Sequence, residues 1–133
     1  MGNQELGWVM GLIDGEGSIL LAPSMGRRYP RIMLPSTDIE ILETLKQLCG
    51  GYIVYKADKR KHVHRAWTWI LSSSKFFSLL KKGVHLLRSP QKAARANFLL
   101  ENWKPRMSRE ERQLLTERFF AIQDLRERRF DEP

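Results

Sequence analysis

Cysteine is almost absent from this chain. Cys49 stands alone among 133 residues, which excludes an intrachain disulfide and a cysteine-based zinc site. Acidic side chains are also short in supply. Fifteen Asp and Glu face 23 Lys and Arg, giving a formal charge of +8 and a pI near 10.0. That balance favours a polyanionic partner, nucleic acid before membrane. No apolar run approaches the ~18–20 residues of a membrane span, and the N-terminus lacks the basic stretch of a secretory signal. The expected setting is therefore intracellular and reducing (bacterial or phage cytoplasm, or an organelle), not secreted and not membrane-bound. Neither a low-complexity segment nor an internal repeat is present. What remains is an ordinary 42% hydrophobic content in a length suited to one domain with a modest core.

The densest information lies in residues 8–17, Trp-Val-Met-Gly-Leu-Ile-Asp-Gly-Glu-Gly. An apolar helical turn runs into two carboxylates, Asp14 and Glu16, separated by glycine. Gly7, Gly11 and Gly15 recur every fourth residue and so share one helical face. Glycine inside a helix costs roughly 1 kcal/mol relative to alanine. An aligned set implies a return, ordinarily the close approach of a second backbone.

Local signals predict the order of elements. A first helix covers 4–14 and ends at Gly15 and Gly17. A hairpin follows over 17–25 and about 29–35, turning at Gly26-Arg27-Arg28, with Pro23, Pro30 and Pro35 confined to edges and strand ends. Thr37 and Glu40 have the spacing of a capping box. The helix they open buries Ile39, Leu42, Leu45 and Cys49 and stops at Gly50-Gly51. A second hairpin runs out from Tyr52 to Lys56 and back from Val63 to Leu71. Ser72-Ser73-Ser74 caps a helix over 75–82 that turns Phe76, Leu79 and Leu80 inward. Ser89-Pro90 opens another, to about Trp103. Ser108 and Glu111 make a second capping box, opening a charged helix to about Arg129. The whole is expected to be a single domain over 1–133, with a core of about 4–103 and a C-terminal helical extension of about 106–129.

Val9-Met10-Gly11-Leu12-Ile13-Asp14-Gly15-Glu16-Gly17 resembles the nine-residue signature of the LAGLIDADG homing endonucleases. Gly11, Leu12, Ile13, Asp14 and Gly17 match, and Glu16 keeps the second acid. Val9, Met10 and Gly15 replace Leu, Ala and Ala. The resemblance covers about residues 4–103 and implies an α+β fold of αββαββα order, with a saddle-shaped antiparallel sheet and extra C-terminal helices. It also implies cleavage of double-stranded DNA across the minor groove, leaving 3′ overhangs, in the service of intron or intein mobility.

Phosphodiester hydrolysis needs an activated water and a stabilised leaving oxygen, and divalent metal ions serve both. Mg²⁺ takes oxygen ligands, usually one or two carboxylates plus water and phosphate. Glu16 suits it, since a helix C-terminus favours cations by about 0.3–1 kcal/mol. The resemblance assigns the metal to Glu16, with the Gly15 carbonyl as an extra ligand and Asp14 in a more structural role. Mn²⁺ or Ca²⁺ is expected to substitute for Mg²⁺ in binding. Family sites also carry a lysine on a following helix. Lys92 is the best match, as a cation able to polarise the scissile phosphate, with Arg95 its competitor. The family's polar residue late in the second strand is replaced by Met33, which leaves compensation to Gln91 or Ser36, or else reduced activity.

One motif supplies one acid, so two chains must pair. The expected form is a C2 homodimer joined through Gly7, Trp8, Gly11, Leu12 and Gly15, reading a palindromic or nearly palindromic target. The competing reading packs the glycines against this chain's own helices. Strand alternation places Ser18, Leu20, Ala22, Ser24, Arg27, Arg28 and Arg31 at DNA from the first hairpin. The second contributes Lys56, Lys59, Arg60, Lys61, His62 and Arg65. The stretch Lys56 to Arg65 holds three Lys, two Arg and two His against one acid, Asp58, although a charge run is also what a solvated loop looks like. Trp67 and Trp69 share a strand face, towards either core or DNA. The functional expectation is a metal-dependent, site-specific double-strand DNA endonuclease. The alternatives are a catalytically weak or inactive DNA-binding regulator and an RNA maturase for intron splicing.

Overall fold

The computed structural model describes residues 1–56 and 66–131. Helix α1 (Asn3–Glu16) leads into β1 (Ser18–Ser24) and β2 (Arg27–Ser36). Helix α2 (Ile39–Cys49) then precedes β3 (Tyr52–Lys56) and β4 (Ala66–Ser72). Helix α3 (Ser73–Gly83), a 3₁₀ turn (Val84–Leu86), α4 (Pro90–Asn102) and α5 (Arg109–Asp131) complete the chain. The strands form one antiparallel sheet in the order β1-β2-β4-β3. The αββαββα order and the α+β class are as the sequence implies.

Register explains the layering. Ile19, Leu21, Ile32, Leu34, Trp69 and Leu71 project to one side, are all buried, and join a single apolar cluster with the helices. That cluster takes Val9, Met10 and Ile13 from α1, Leu42 and Leu45 from α2, and Phe76, Leu79 and Leu80 from α3. From α4 and α5 come Ala96, Leu99, Leu115 and Phe119, so the C-terminal helix is part of the same core. On the opposite side, Ser18, Leu20, Arg31, Met33, Thr68 and Ser72 are half-buried and Pro35, Tyr52 and Val54 exposed. Ala22 and Ile70 share that side and are nonetheless buried. The sheet therefore has one helix-covered face and one open face. No helix among the described residues is long and apolar enough to cross a membrane.

Proline placement follows from pairing. Pro30 is paired with Leu21 of β1 but lies beyond the end of the β2–β4 register, and Pro35 pairs with β4 beyond the end of β1. Each occupies a stretch of β2 with a neighbour on only one side, where a missing N–H breaks no ladder. The hairpin turn is tighter than expected. Met25 and Gly26, with φ of 52° and 78°, make a two-residue turn of the type that matches strand twist. Arg27 and Arg28 consequently belong to β2, not to the turn. Helix α2 is capped by Asp38 in place of Thr37: its carboxylate accepts from Glu40 N at 3.0 Å, while Asp38 N donates to Ser36 Oγ at 3.0 Å. The other predicted box is present, with Glu111 N donating to Ser108 Oγ and Ser108 N to Glu111 Oε1. Donation to it by the Ser108 backbone N–H is the main cause that holds the Glu111 carboxyl below its ordinary pKa.

Trp69 is fully buried and its indole N–H donates to Gly50 O at 2.9 Å. Trp67 shares its face and packs on the core, its ring tilted against Tyr55. Both tryptophans therefore serve the core side. Their neighbour Gly51 has φ +84°, and a Cβ there would collide with Ile70 O. Gly51→Ala is expected to lower stability by about 2 kcal/mol or more. Gly11→Ala adds its Cβ to open space and should raise the stability of the isolated chain by up to about 1 kcal/mol. Urea midpoints at constant m-value compare the two.

Candidate active site

The end of α1 is where the predicted catalytic groups converge. Helix geometry runs through Gly15 to Glu16, and Gly17 closes it with N–H to Ile13 O at 3.0 Å. Gly17 is buried, and a Cβ there would press on Ile13 backbone atoms at 3.0 Å. The chain thus leaves α1 directly beneath β1. Glu16 is exposed, two residues before the open-face position of Ser18.

Asp14 points elsewhere. Its Oδ1 accepts from Ser89 N at 2.8 Å and Arg88 N at 3.1 Å, at the start of α4. Ser89 caps that helix by accepting from Lys92 N at 3.3 Å, with Pro90 in its first turn. One turn on, the Lys92 ammonium reaches back and donates to Ile13 O at 3.0 Å and to Asp14 O. A carboxylate from α1 therefore sits on the N-terminus of α4, and an ammonium from α4 sits on the C-terminus of α1. Each charge opposes the dipole end it meets. Glu16, Gly15, Asp14 and Lys92 are brought within one small region by this exchange.

Arg95 is no competitor to Lys92. It is buried, with Nη1 donating to Ile19 O at 3.3 Å and the guanidinium over Phe119. Ser36 does not compensate for Met33. Its hydroxyl serves the entry to α2, and the register sets it on the helix-covered side with Trp67 and Trp69. Met33 is on the open face, directly opposite Ser18 and Ile70. Gln91 is half-buried in the first turn of α4.

The glycine ladder is open. Gly7, Gly11 and Gly15 are exposed, and among the described residues a Cβ at any of them would meet nothing within 4 Å. Trp8, on the same side, is 40% exposed, and Leu12 is half-buried. Packing of the ladder against this chain's own helices is thereby overturned. The close approach inside the subunit belongs instead to Gly83 at the end of α3, where a Cβ would meet Met10 Cγ at 2.6 Å. The sequence signal for it, one glycine after a Lys-Lys pair, looked like an ordinary helix end.

The candidate DNA-facing residues divide. Ser18, Leu20, Ala22 and Ser24 fall on the open-face register with Arg27 and Arg31. Arg28 departs from it. It alternates to the helix side, donates to Leu21 O at 3.0 Å and lies 5.0 Å over the Phe120 ring. Only the pairing of Lys56 with Ala66 at the end of β3 is described. Lys59, Arg60, Lys61, His62 and Arg65 lie outside the described residues. Sequence reasoning missed Tyr52, Val54 and Thr68 on the open face, since a strand's sidedness emerges only from its register.

For a metal ion, the donors present are the exposed Glu16 carboxylate and main-chain carbonyls at the end of α1. Among the described residues no group of three or more His, Cys, Asp or Glu forms a cage. One hard carboxylate with carbonyl oxygen fits Mg²⁺ or Ca²⁺ as part of a site, the remaining ligands being water and phosphate.

The two acids are expected to separate in mutagenesis. Asp14→Ala removes the acceptor for two backbone donors and should cost about 1.5–3 kcal/mol. Glu16→Gln, at an exposed position, should stay within about 0.5 kcal/mol of the parent. Equal losses in urea denaturation would contradict this division.

No family model matches the chain, and no curated protein is significantly similar to it. Solved structures do match. The archaeal intron-encoded homing endonuclease I-Vdi141I, complexed with DNA, aligns with a TM-score of 0.55 at 16% identity, over 91% of this chain and 98% of its own. The group I intron-encoded homing endonuclease I-CeuI, also complexed with DNA, aligns at 0.53 and 16% identity, over 75% of this chain and 55% of its own. The LAGLIDADG meganuclease I-CpaMI, bound to uncleaved DNA, gives 0.53 and 18%, over 73% of this chain and 35% of its own. The chain therefore has the fold of the LAGLIDADG homing endonucleases.

Proposed function

We propose that this chain is a site-specific double-strand DNA endonuclease that hydrolyses phosphodiester bonds with a divalent metal ion and acts as a homodimer. The observation that carries the reading is the placement of Glu16. It is exposed at the end of a helix whose outer face is bare glycine, beside an ammonium held in place by that helix's own carbonyls. The fold, and the DNA complexes of I-Vdi141I and I-CeuI, support the choice of substrate.

Two α1 helices packed through Gly7, Gly11 and Gly15 would bring two Glu16 carboxylates to a common axis, so the target is palindromic or nearly so. Glu16 and the Gly15 carbonyl would hold Mg²⁺, which when bound supplies charge stabilisation and an acidified water. Asp14 holds α1 against α4 and so fixes where Glu16 stands. Lys92 presents positive charge at the same turn, where the scissile phosphate would lie. The open sheet face follows the major groove, with Arg27 and Arg31 as its described cations. Met33 opposite Ser18 favours the second reading, a regulator that binds DNA and cuts weakly or not at all.

A random-site duplex library incubated with Mg²⁺ and sequenced for new ends separates the readings. Cleavage at one symmetric site is expected, with Glu16→Gln binding the same site while cutting at least about 100-fold more slowly. Symmetric binding without cleavage supports the regulator. Unchanged cleavage by Glu16→Gln contradicts the proposed chemistry.

A further inference from the structure

A second basic surface lies away from the α1 terminus. The tip of the β1–β2 hairpin and the first turns of α5 enclose a groove of about 740 Å³. Arg27 and Arg28 line it from the hairpin and Arg109 and Arg112 from the helix, against a single carboxylate, Glu117. Arg112 is the built part. Its guanidinium lies 5.6 Å from the Tyr29 ring and 5.5 Å from the Trp103 ring, and Trp103 also lines the groove. Its Nη1 is buried and has no hydrogen-bond partner among the described residues. A planar cation thus lies against two neighbouring aromatic rings, with one of its nitrogens unpaired among the described residues. Guanidinium forks match phosphate oxygens in pairs, which a cluster of lysines does not.

We propose that this groove clamps a DNA backbone phosphate beyond the strand-read part of the target. The inference rests on the duplex-binding reading above and extends its footprint. Strand β1 carries the chain seven residues from the Glu16 end to the hairpin tip. At ~3.4 Å per residue that is ~24 Å, about seven base-pair steps of B-DNA at ~3.4 Å each. A duplex lying along the hairpin therefore presents its backbone to the groove about seven base pairs from the point of cleavage. Helix α5, which the αββαββα order alone leaves without a role, becomes a backbone contact that sets the phase of the hairpin on the duplex. Contacts of that kind position and carry no base information.

The salt dependence of duplex affinity tests this. Each phosphate contact contributes about 0.9 to the slope of log K against log salt. Arg109→Gln with Arg112→Gln, both lining the groove from α5, is expected to reduce the slope by about one per chain, the loss of one clamped phosphate. Lys81→Gln with Lys82→Gln removes the same charge from exposed positions on α3 and should leave the slope in place. Circular dichroism and urea midpoints confirm that both pairs fold. An unchanged slope in the arginine pair, or equal reductions in both, overturns the groove while leaving duplex binding intact. Pyrophosphate that shifts the Trp103 indole resonance, with no change in slope for the arginine pair, assigns the groove to a free anion and also overturns it. A parent protein that binds no duplex removes the wider reading and the groove together.

Discussion

A reciprocal exchange of charge between two helix ends organises this molecule. Asp14 gives its carboxylate to the backbone N–H groups that open α4, and Lys92 returns its ammonium to the carbonyls that close α1. The two residues are 78 apart in sequence, with the sheet and α3 lying between them in the chain. Each partner satisfies polar groups that a helix terminus leaves bare. Neutralising either one orphans two acceptors or two donors at a part-buried junction, which is far costlier than losing an exposed pair. The exchange also decides which acid is left over. With Asp14 committed to α4, Glu16 alone is available to solvent and to a ligand.

The same constraint gives α1 two unlike sides. Val9, Met10 and Ile13 are buried inward, and Gly83 lets α3 come close to Met10. The outer side is Gly7, Gly11 and Gly15 beside an exposed Trp8. Three glycines on one face weaken a helix of 14 residues, and among the described residues no atom lies against that face to offset the weakness. A backbone approaching from outside would, and the dimer proposal rests on this imbalance.

The helix content and strand content were legible because they depend on neighbours in sequence: Ser89-Pro90, the Ser108–Glu111 box and the Gly50-Gly51 stop all lie where their local chemistry requires. What escaped was set by distant partners or by competition between near-equivalent groups. Asp38 outcompetes Thr37 for the α2 cap because Ser36 holds its backbone N–H from behind. The hairpin turn shrinks to Met25-Gly26 because the two-residue geometry fits strand twist, and this pulls Arg28 onto the helix side. The direction of Trp67 and Trp69 depends on the β2–β4 register, which no local signal states. At the site, the motif located Asp14 and Glu16, but only the fold separates their surroundings. The ring cage around Arg112 joins residues from β2, the end of α4 and α5, and no spacing in the sequence announces it.

Paired α1 helices are the central claim, and disulfide trapping reaches them most directly. Cys49 is half-buried with its thiol pushed up to about 11 by burial, so its replacement by Ser clears the background without touching α1. A single cysteine introduced at Gly11 in that chain is predicted to cross-link two copies rapidly under mild oxidation, and faster with duplex DNA present. A cysteine placed at Glu43, exposed on α2, should not. Cross-linking at Glu43 and not at Gly11, or at neither, would contradict the pairing of α1 and with it the shared site built on two Glu16 carboxylates.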